Sequence, residues 1–279
     1  VSAHDENAIA TTSSPRDLAA LVRSLARWTG PYLTIGAVLV AWEIAAQSGA
    51  VIKFLLPPLS DVIARIWADL VSGKLVLDIA ITLYRALAGF VIAAVCGITV
   101  GMMIARNATI RWFFDPLVSI GLPMPKVALL PVFMIWFGLF DLSKILMVAF
   151  SASFQITIAT WAATRSVDKE LVWSARSLGA SDGQVLREVV LPGASPQILT
   201  GLQVAMPICL IVVLITEMTM GGRGLGDSML KSARYVDSVG VFAGIVEIGL
   251  LGAAIIKTME VARRWLLRWH PETQQVTTV

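Results

Sequence analysis

Apolar runs recur along this 279-residue chain at lengths suited to crossing a bilayer. The hydrocarbon core is about 30 Å thick and takes about 20 helical residues to span. Runs near that length cover 32–47, 79–105, 116–140, 145–163, 198–218 and 239–259. No water reaches the hydrocarbon core, so each run must satisfy its own backbone hydrogen bonds, which a helix does. Composition agrees: 57% of residues are hydrophobic, 15% are charged, and mean hydropathy is +0.78. That is too little charge to cover a soluble domain of this size. The expected fold class is all-α, a polytopic membrane protein with about six transmembrane helices.

The runs differ in character. The third contains Pro123, Pro125 and Pro131, which predicts a kinked or interrupted helix whose freed carbonyls are met by neighbouring helices or water. The second is longer than a span requires, so it tilts or begins outside the bilayer. Gly97 with Gly101, and Gly240 with Gly244, have the spacing that lets helices approach closely. Before the first run, 1–15 is polar and of unstructured composition, and 18–28 has the pattern of a surface amphipathic helix. No apolar stretch with a small-residue cleavage site precedes it, so no cleavable signal peptide is expected. A second amphipathic piece covers 60–70.

Six spans place both termini on one side. Of 22 Lys and Arg, 13 fall on the side holding the termini, 106–115 and 165–192, and 7 fall opposite. The excess puts the termini in the cytoplasm and accounts for the net charge of +3 without a nucleic-acid partner.

One long polar interval, 165–192, also reads as helical: RSVDKELVWSARSLGASDGQVLREVVLP. Asp168 and Glu170 suit a helix N-terminus, and Gly179 suits a left-handed C-terminal cap. Ser181 with Gln184 is a capping-box pattern, so a second helix should start at once, run to about Leu191 and stop at Pro192. Ala175 and Leu178, with Val185, Leu186, Val189 and Val190, give the hairpin apolar faces, and Arg176, Arg187 and Glu188 give charged edges. Such a hairpin suits a membrane surface and suits the groove of another protein equally.

Catalytic chemistry has little to work with. The only histidines are His4 and His270, near the two ends, and neither HExxH nor GxSxG occurs. No catalytic residue, metal site or cofactor is expected. The loop GGRGLGD at 221–227 lacks the Gly-Lys-Ser/Thr ending of a phosphate cradle and follows an apolar run, so it reads as a turn-rich connection. Cys96 and Cys209 both lie in apolar runs and read as core residues, not a disulfide. Arg85 and Lys126 are the two basic residues in or beside the runs that the charge count leaves over. The candidates taken from the ionisable residues there are Glu43, Lys126, Glu217 and Glu247, with Gln155 and Thr157 as weaker polar candidates. Each either snorkels or pairs between helices, or lines a solute route.

The residues also carry a family pattern. ELxxSARSLGAS at 170–181, followed by VLP at 190–192, resembles the EAA motif of the membrane subunits of ATP-driven, binding-protein-dependent importers. LLPPLSDV (55–62), TLYRALAGFVIA (82–93), PMPKVALLPVFMIWFG (123–138) and LSKI (142–145) look like the nitrate, sulfonate, taurine and aromatic-acid branch of that family. ITEM (215–218), GLGDSML (224–230) and VFAGI (241–245) continue the pattern, so the resemblance covers about 50–268. It implies a type I ABC importer permease-like fold that carries a small solute, a small anion such as a sulfonate, nitrate or aromatic acid by branch. The partners it implies are two copies of a cytoplasmic ATPase subunit that hydrolyses ATP, a second permease copy and an extracytoplasmic solute-binding protein. The setting is membrane lipid of the cell inner membrane.

The implied layout is a cytoplasmic segment at 1–28, a first transmembrane helix at 29–49, an external loop at 50–78, a permease core at 79–262 and a basic cytoplasmic tail at 263–279. Within the core, 165–192 would be the coupling hairpin. Trp173, Ser174, Ala175, Arg176, Leu178, Gly179, Ala180, Ser181, Leu191 and Pro192 are then expected at the ATPase contact, and Lys126, Gln155 and Glu217 along the route. Trp173 and Ser174 stand where the motif usually has Glu and Ala, so Trp173 offers an apolar anchor in place of a carboxylate. An ion-coupled secondary transporter is the alternative, in which intramembrane acids carry protons and no ATPase is needed.

Overall fold

The structure, a computed structural model, describes residues 33–49 and 51–269, and these contain helices and no strand. The expected N-terminal segment 1–28 and the end of the basic tail lie outside the described residues. The chain divides into two compact units, Val1–Ile63 and Ala64–Val279.

In the first unit α1 (Leu33–Gln47) is apolar but shorter than a full span as described. Trp42 donates its indole N–H to the Pro57 carbonyl at 3.0 Å. The Glu43 carboxylate accepts from the Ser60 N–H at 3.2 Å and from its hydroxyl at 2.9 Å, at the head of α2 (Leu59–Val71). Glu43 is therefore spent on a local turn. The amphipathic piece expected at 60–70 is α2.

The second unit holds α3 (Lys74–Arg106), α4 (Ala108–Gly121), α5 (Leu130–Phe137), α6 (Asp141–Arg165) and α7 (Lys169–Ser177). After these come α8 (Asp182–Gln184), α9 (Leu191–Met220), α10 (Leu225–Arg234) and α11 (Ser238–Leu266). Among the described residues four helical stretches are long and apolar enough to span: α3, α6, the unbroken run Asp182–Met220, and α11. The proline-rich third run is interrupted as expected. Its two halves, Ala108–Gly121 and Lys126–Phe137, meet at 95°. Asn107 marks the boundary with α3, its side chain accepting from the N–H groups of Thr109 and Ile110.

Two expectations are corrected. Pro192 does not stop the hairpin's second helix: Asp182–Met220 is continuous, and Pro192 sits at the start of α9. The six residues before Leu191, Val185–Val190, form a π-helical turn, and this wider turn absorbs a proline that lacks an N–H and crowds the carbonyl four residues back. Cys96 is exposed on α3, while Cys209 is buried as expected; the inward face of α3 is taken by smaller residues.

That face is the centre of the unit. Thr82, Ala86, Gly89, Ala93, Gly97 and Gly101 recur every three or four residues, and all are buried. They let α3 lie directly against Val148, Ala152 and Ile156 of α6, whose other side meets Met206 and Val213 of α9. A Cβ on Gly97 would stand 2.8 Å from Ile156, and one on Gly101 2.7 Å from the Thr157 carbonyl. Lipid tails are as apolar as leucine, so close packing, not hydrophobicity, holds such helices together. The second glycine pair is also used, Gly240 against Ser232 and Gly244 against Met229 of α10.

Gly97→Leu should cost about 1–3 kcal/mol by overpacking, read as a lower thermal midpoint of the purified chain in detergent. Gly249→Ala on α11, where nothing lies within 4 Å, should leave the midpoint unchanged or raise it.

Candidate functional site

Two polar constructions stand at opposite ends of α6, separated by about 37 Å of helix axis at 1.5 Å per residue. The first is the hairpin between Arg165 and α9. Helix α7 ends at Ser177, and Gly179 takes a φ of +86°, the left-handed conformation that side chains with a Cβ avoid. The turn is closed by backbone bonds from the N–H of Gly179 to Arg176 O at 2.9 Å and of Ala180 to Ala175 O at 3.1 Å. The Ser181 hydroxyl then accepts from the Gln184 N–H, and the Gln184 side chain accepts from the Ser181 N–H at 2.9 Å. This is the capping box expected from the sequence. Arg176 and Asp182 pair across the turn at 2.9 Å.

Turn geometry so fixed presents an apolar tip. Leu178 is 89% exposed and Trp173 62% exposed, with Leu171 exposed beside them. Ser174, Gly179, Ser181 and Pro192 are exposed, while Ala175, Ala180 and Leu191 are half-buried. Val185 and Val190 turn inward, so the second helix seats itself and the first is left with its large side chains outward. Burying a leucine side chain contributes about 1.5–3 kcal/mol, and Leu178 has none of this within the chain.

The second construction is a buried charge network between the start of α6 and the end of α9. Glu217 is 0% exposed. Its carboxylate accepts from Arg85 Nη1 at 2.7 Å, the Thr82 hydroxyl at 2.9 Å and the Gly226 N–H at 3.1 Å. Arg85 also pairs with Asp141 at 2.6 Å and donates to the Arg223 carbonyl at 2.6 Å. Thr82 accepts in turn from the Leu225 N–H at 3.0 Å. Lys144 is 2% exposed and donates to Gly221 O at 2.6 Å. Asp227 and Lys231 pair at 2.6 Å, and Asp78 accepts from the Gly224 N–H at 3.3 Å. The loop amides thus point at the protein's own carboxylates, and GGRGLGD is the turn-rich connection expected of it. A Cβ on Gly224 would fall on the Glu217 carboxylate.

The three expected route residues are not together. Glu217 belongs to this network. Lys126 sits at the break between α4 and α5, donating to Leu122 O at 2.9 Å and lying 5.4 Å above the Phe154 ring. Gln155 follows Phe154 on α6 and is half-buried. Thr157 is buried and donates to Ser153 O at 2.7 Å. Glu247 is half-buried on α11, with Oε1 making no hydrogen bond among the described residues. Sequence reasoning missed Arg85 as the partner of Glu217. A usable signal existed: both charges lie near the same end of their apolar runs, where opposite charges at one depth pair.

The arrangement is a helical bundle with long apolar helices and one broken span; among the described residues no group of His, Cys, Asp and Glu can hold a metal ion. Residues 97–269, more than half of the chain, match the family described as binding-protein-dependent transport system inner membrane component. The taurine transport system permease protein TauC of Escherichia coli is 30% identical over 246 residues, covering 86% of this chain and 90% of TauC. A putative aliphatic sulfonates transport permease protein, SsuC of Bacillus subtilis, is 28% identical over 243 residues, covering 87% of this chain and 88% of SsuC. A chain of the MetNI methionine ABC transporter in an inward-facing conformation is 20% identical and shares the fold, with a TM-score of 0.55 over 67% of this chain and 96% of that one. The chain belongs to the binding-protein-dependent inner-membrane transport family. It is a multi-pass membrane protein with the type I importer fold, the permease subunit of an ABC importer.

Removing one partner of a buried ion pair strands the other charge at a cost of about 3–5 kcal/mol. Arg85→Met or Glu217→Met alone should therefore lower the thermal midpoint sharply, and the double variant should recover much of the loss. Additive losses in the double variant would contradict the pairing.

Proposed function

We propose that this permease carries small anions of the sulfonate type into the cell, and that the α7–α8 hairpin is its contact with a separate, cytoplasmic ATPase subunit. The observation that carries the second half is the pinned, 89%-exposed Leu178 on the Gly179 turn. An apolar side chain held that far out, on a turn closed by four local hydrogen bonds, is organised to enter a pocket on something else. Trp173, on α7 just before that turn, adds a second anchor, replacing the carboxylate that the family's motif usually has there. The sulfonate class is supported by the names of the relatives, which transport taurine and aliphatic sulfonates.

The assembly on this reading has two permease copies, two ATPase subunits beneath them and a solute-binding protein opposite. The 13 to 7 distribution of Lys and Arg supports the hairpin and both termini lying in the cytoplasm. ATP binding draws the ATPase subunits together, and the hairpins carry that motion to α6 and α9, between which each is inserted. Because a ligand shifts a two-state equilibrium only by its differential affinity, the contact must be tighter in one state than the other. Lys126 is the cation placed to meet an anionic solute, at an opened backbone over the Phe154 ring, whereas Glu217 serves by holding the loop after α9.

Leu178→Asp changes an exposed position and should leave the permease folded. Association with the ATPase subunit should weaken about thirtyfold, as for loss of an interface anchor, and ATP-driven uptake in proteoliposomes with the binding protein should fall with it. Unchanged association and uptake would place the contact elsewhere. Lys126→Met should slow uptake without changing ATPase association.

A further inference from the structure

The underside of the hairpin holds a cavity of about 390 Å³ whose basic lining neither the solute route nor the apolar tip accounts for. Its charged lining is Arg106, Arg165, Lys169 and Arg176, with Asp182 the single carboxylate. Asp182 is already engaged. Arg176 holds its carboxylate at 2.9 Å, and Arg106 donates to its backbone carbonyl at 3.1 Å. Arg165 lies 5.5 Å from the centre of the Trp161 ring, and Lys169 makes no ion pair among the described residues. Four cations from three helices therefore surround one space against one negative charge. Like charges so concentrated repel unless an anion sits among them, and guanidinium groups match phosphate oxygens in geometry as well as charge.

Its position narrows the ligand further. Arg106 ends α3 and Arg165 ends α6, two of the long apolar helices, so the cavity lies at the level where hydrocarbon gives way to headgroups. Val167, Val172, Val185 and Val190 form its apolar wall, suited to the acyl side of that boundary. We infer that this cavity binds a phosphate group at the membrane surface, presented by an anionic phospholipid headgroup or by a free phosphate. A bound phosphate ties Lys169 and Arg176 on α7 to the ends of α3 and α6, and so fixes the hairpin against the spans. The inference does not rest on the solute or on the ATPase contact, since binding is read on the permease alone.

The test uses the full chain purified in a neutral detergent, with Kd measured for short-chain phosphatidylglycerol, short-chain phosphatidylcholine and inorganic phosphate. Phosphatidylglycerol should bind and phosphatidylcholine should not. Arg106→Gln/Lys169→Gln should raise the Kd about thirtyfold, given the usual contribution of two basic side chains at an anionic surface. The charge-matched variant Lys257→Gln/Arg264→Gln, altered at exposed positions on α11, should leave it unchanged. Because Lys169 is exposed and unpaired, Lys169→Gln alone keeps the test valid if the double variant does not fold. Inorganic phosphate competing at the same site with comparable affinity would support the site and assign it to free phosphate. Equal binding of the two lipids, or equal losses in both charge variants, would overturn the proposal. So would variants that lose only ATPase association while binding phosphatidylglycerol normally, because an acidic side chain of the ATPase would then be the occupant.

Discussion

The ion pair between Arg85 and Glu217 is the interaction on which the order of one end of the molecule depends. Charges in a dry interior persist only when every polar contact around them is met. Here Arg85 serves Glu217, Asp141 and the Arg223 carbonyl at once, and Glu217 is met by a guanidinium, a hydroxyl and an amide. The pair therefore fixes more than its own two helices. It fastens α3 to α9, reaches the first residue of α6, and draws the loop after α9 onto the bundle through Gly226 and Arg223. Lys144 closes the same loop at Gly221.

The other end of the bundle is built on the opposite principle. The hairpin is rigid within itself, through the Gly179 turn and the Ser181 capping box, yet it leaves Leu178 and Trp173 in solvent. Between the two ends runs the small-residue seam of α3, which brings it within direct backbone reach of α6. A bundle fixed by charge at one end, stiff along its length and apolar at an exposed tip suits a part that is moved from the tip. The continuity of Asp182–Met220 matters for this reason. With no break at Pro192, the hairpin's second helix and the span are one rod, and displacement of the turn reaches the span directly.

Much of this was legible in the sequence, and the limits have physical causes. Hydropathy found the long helices because a span must bury apolar length. The three prolines announced the break after α4, and Ser181 with Gln184 announced the cap, since these signals are local. Pro192 misled because the π-helical turn that accommodates it has no clear residue signature. Glu217 was visible as a charge at the end of an apolar run, but its partner Arg85 lies 132 positions away, and only depth matching would have joined them. Cys96 was placed in the core because an apolar run does not say which face turns inward. Leu178 was expected both on an apolar face and at the ATPase contact, and what the sequence could not give is that the Gly179 turn leaves it 89% exposed at the tip.

The central claim is that force enters this permease at the Gly179 turn. Imaging the assembled importer without nucleotide, by electron cryomicroscopy at side-chain resolution, tests it most directly. The account predicts Leu178 and Trp173 buried in a cleft of the ATPase subunit, with the Arg85–Glu217 network intact at the far end. An ATPase subunit seated elsewhere, with Leu178 still in solvent, would contradict it.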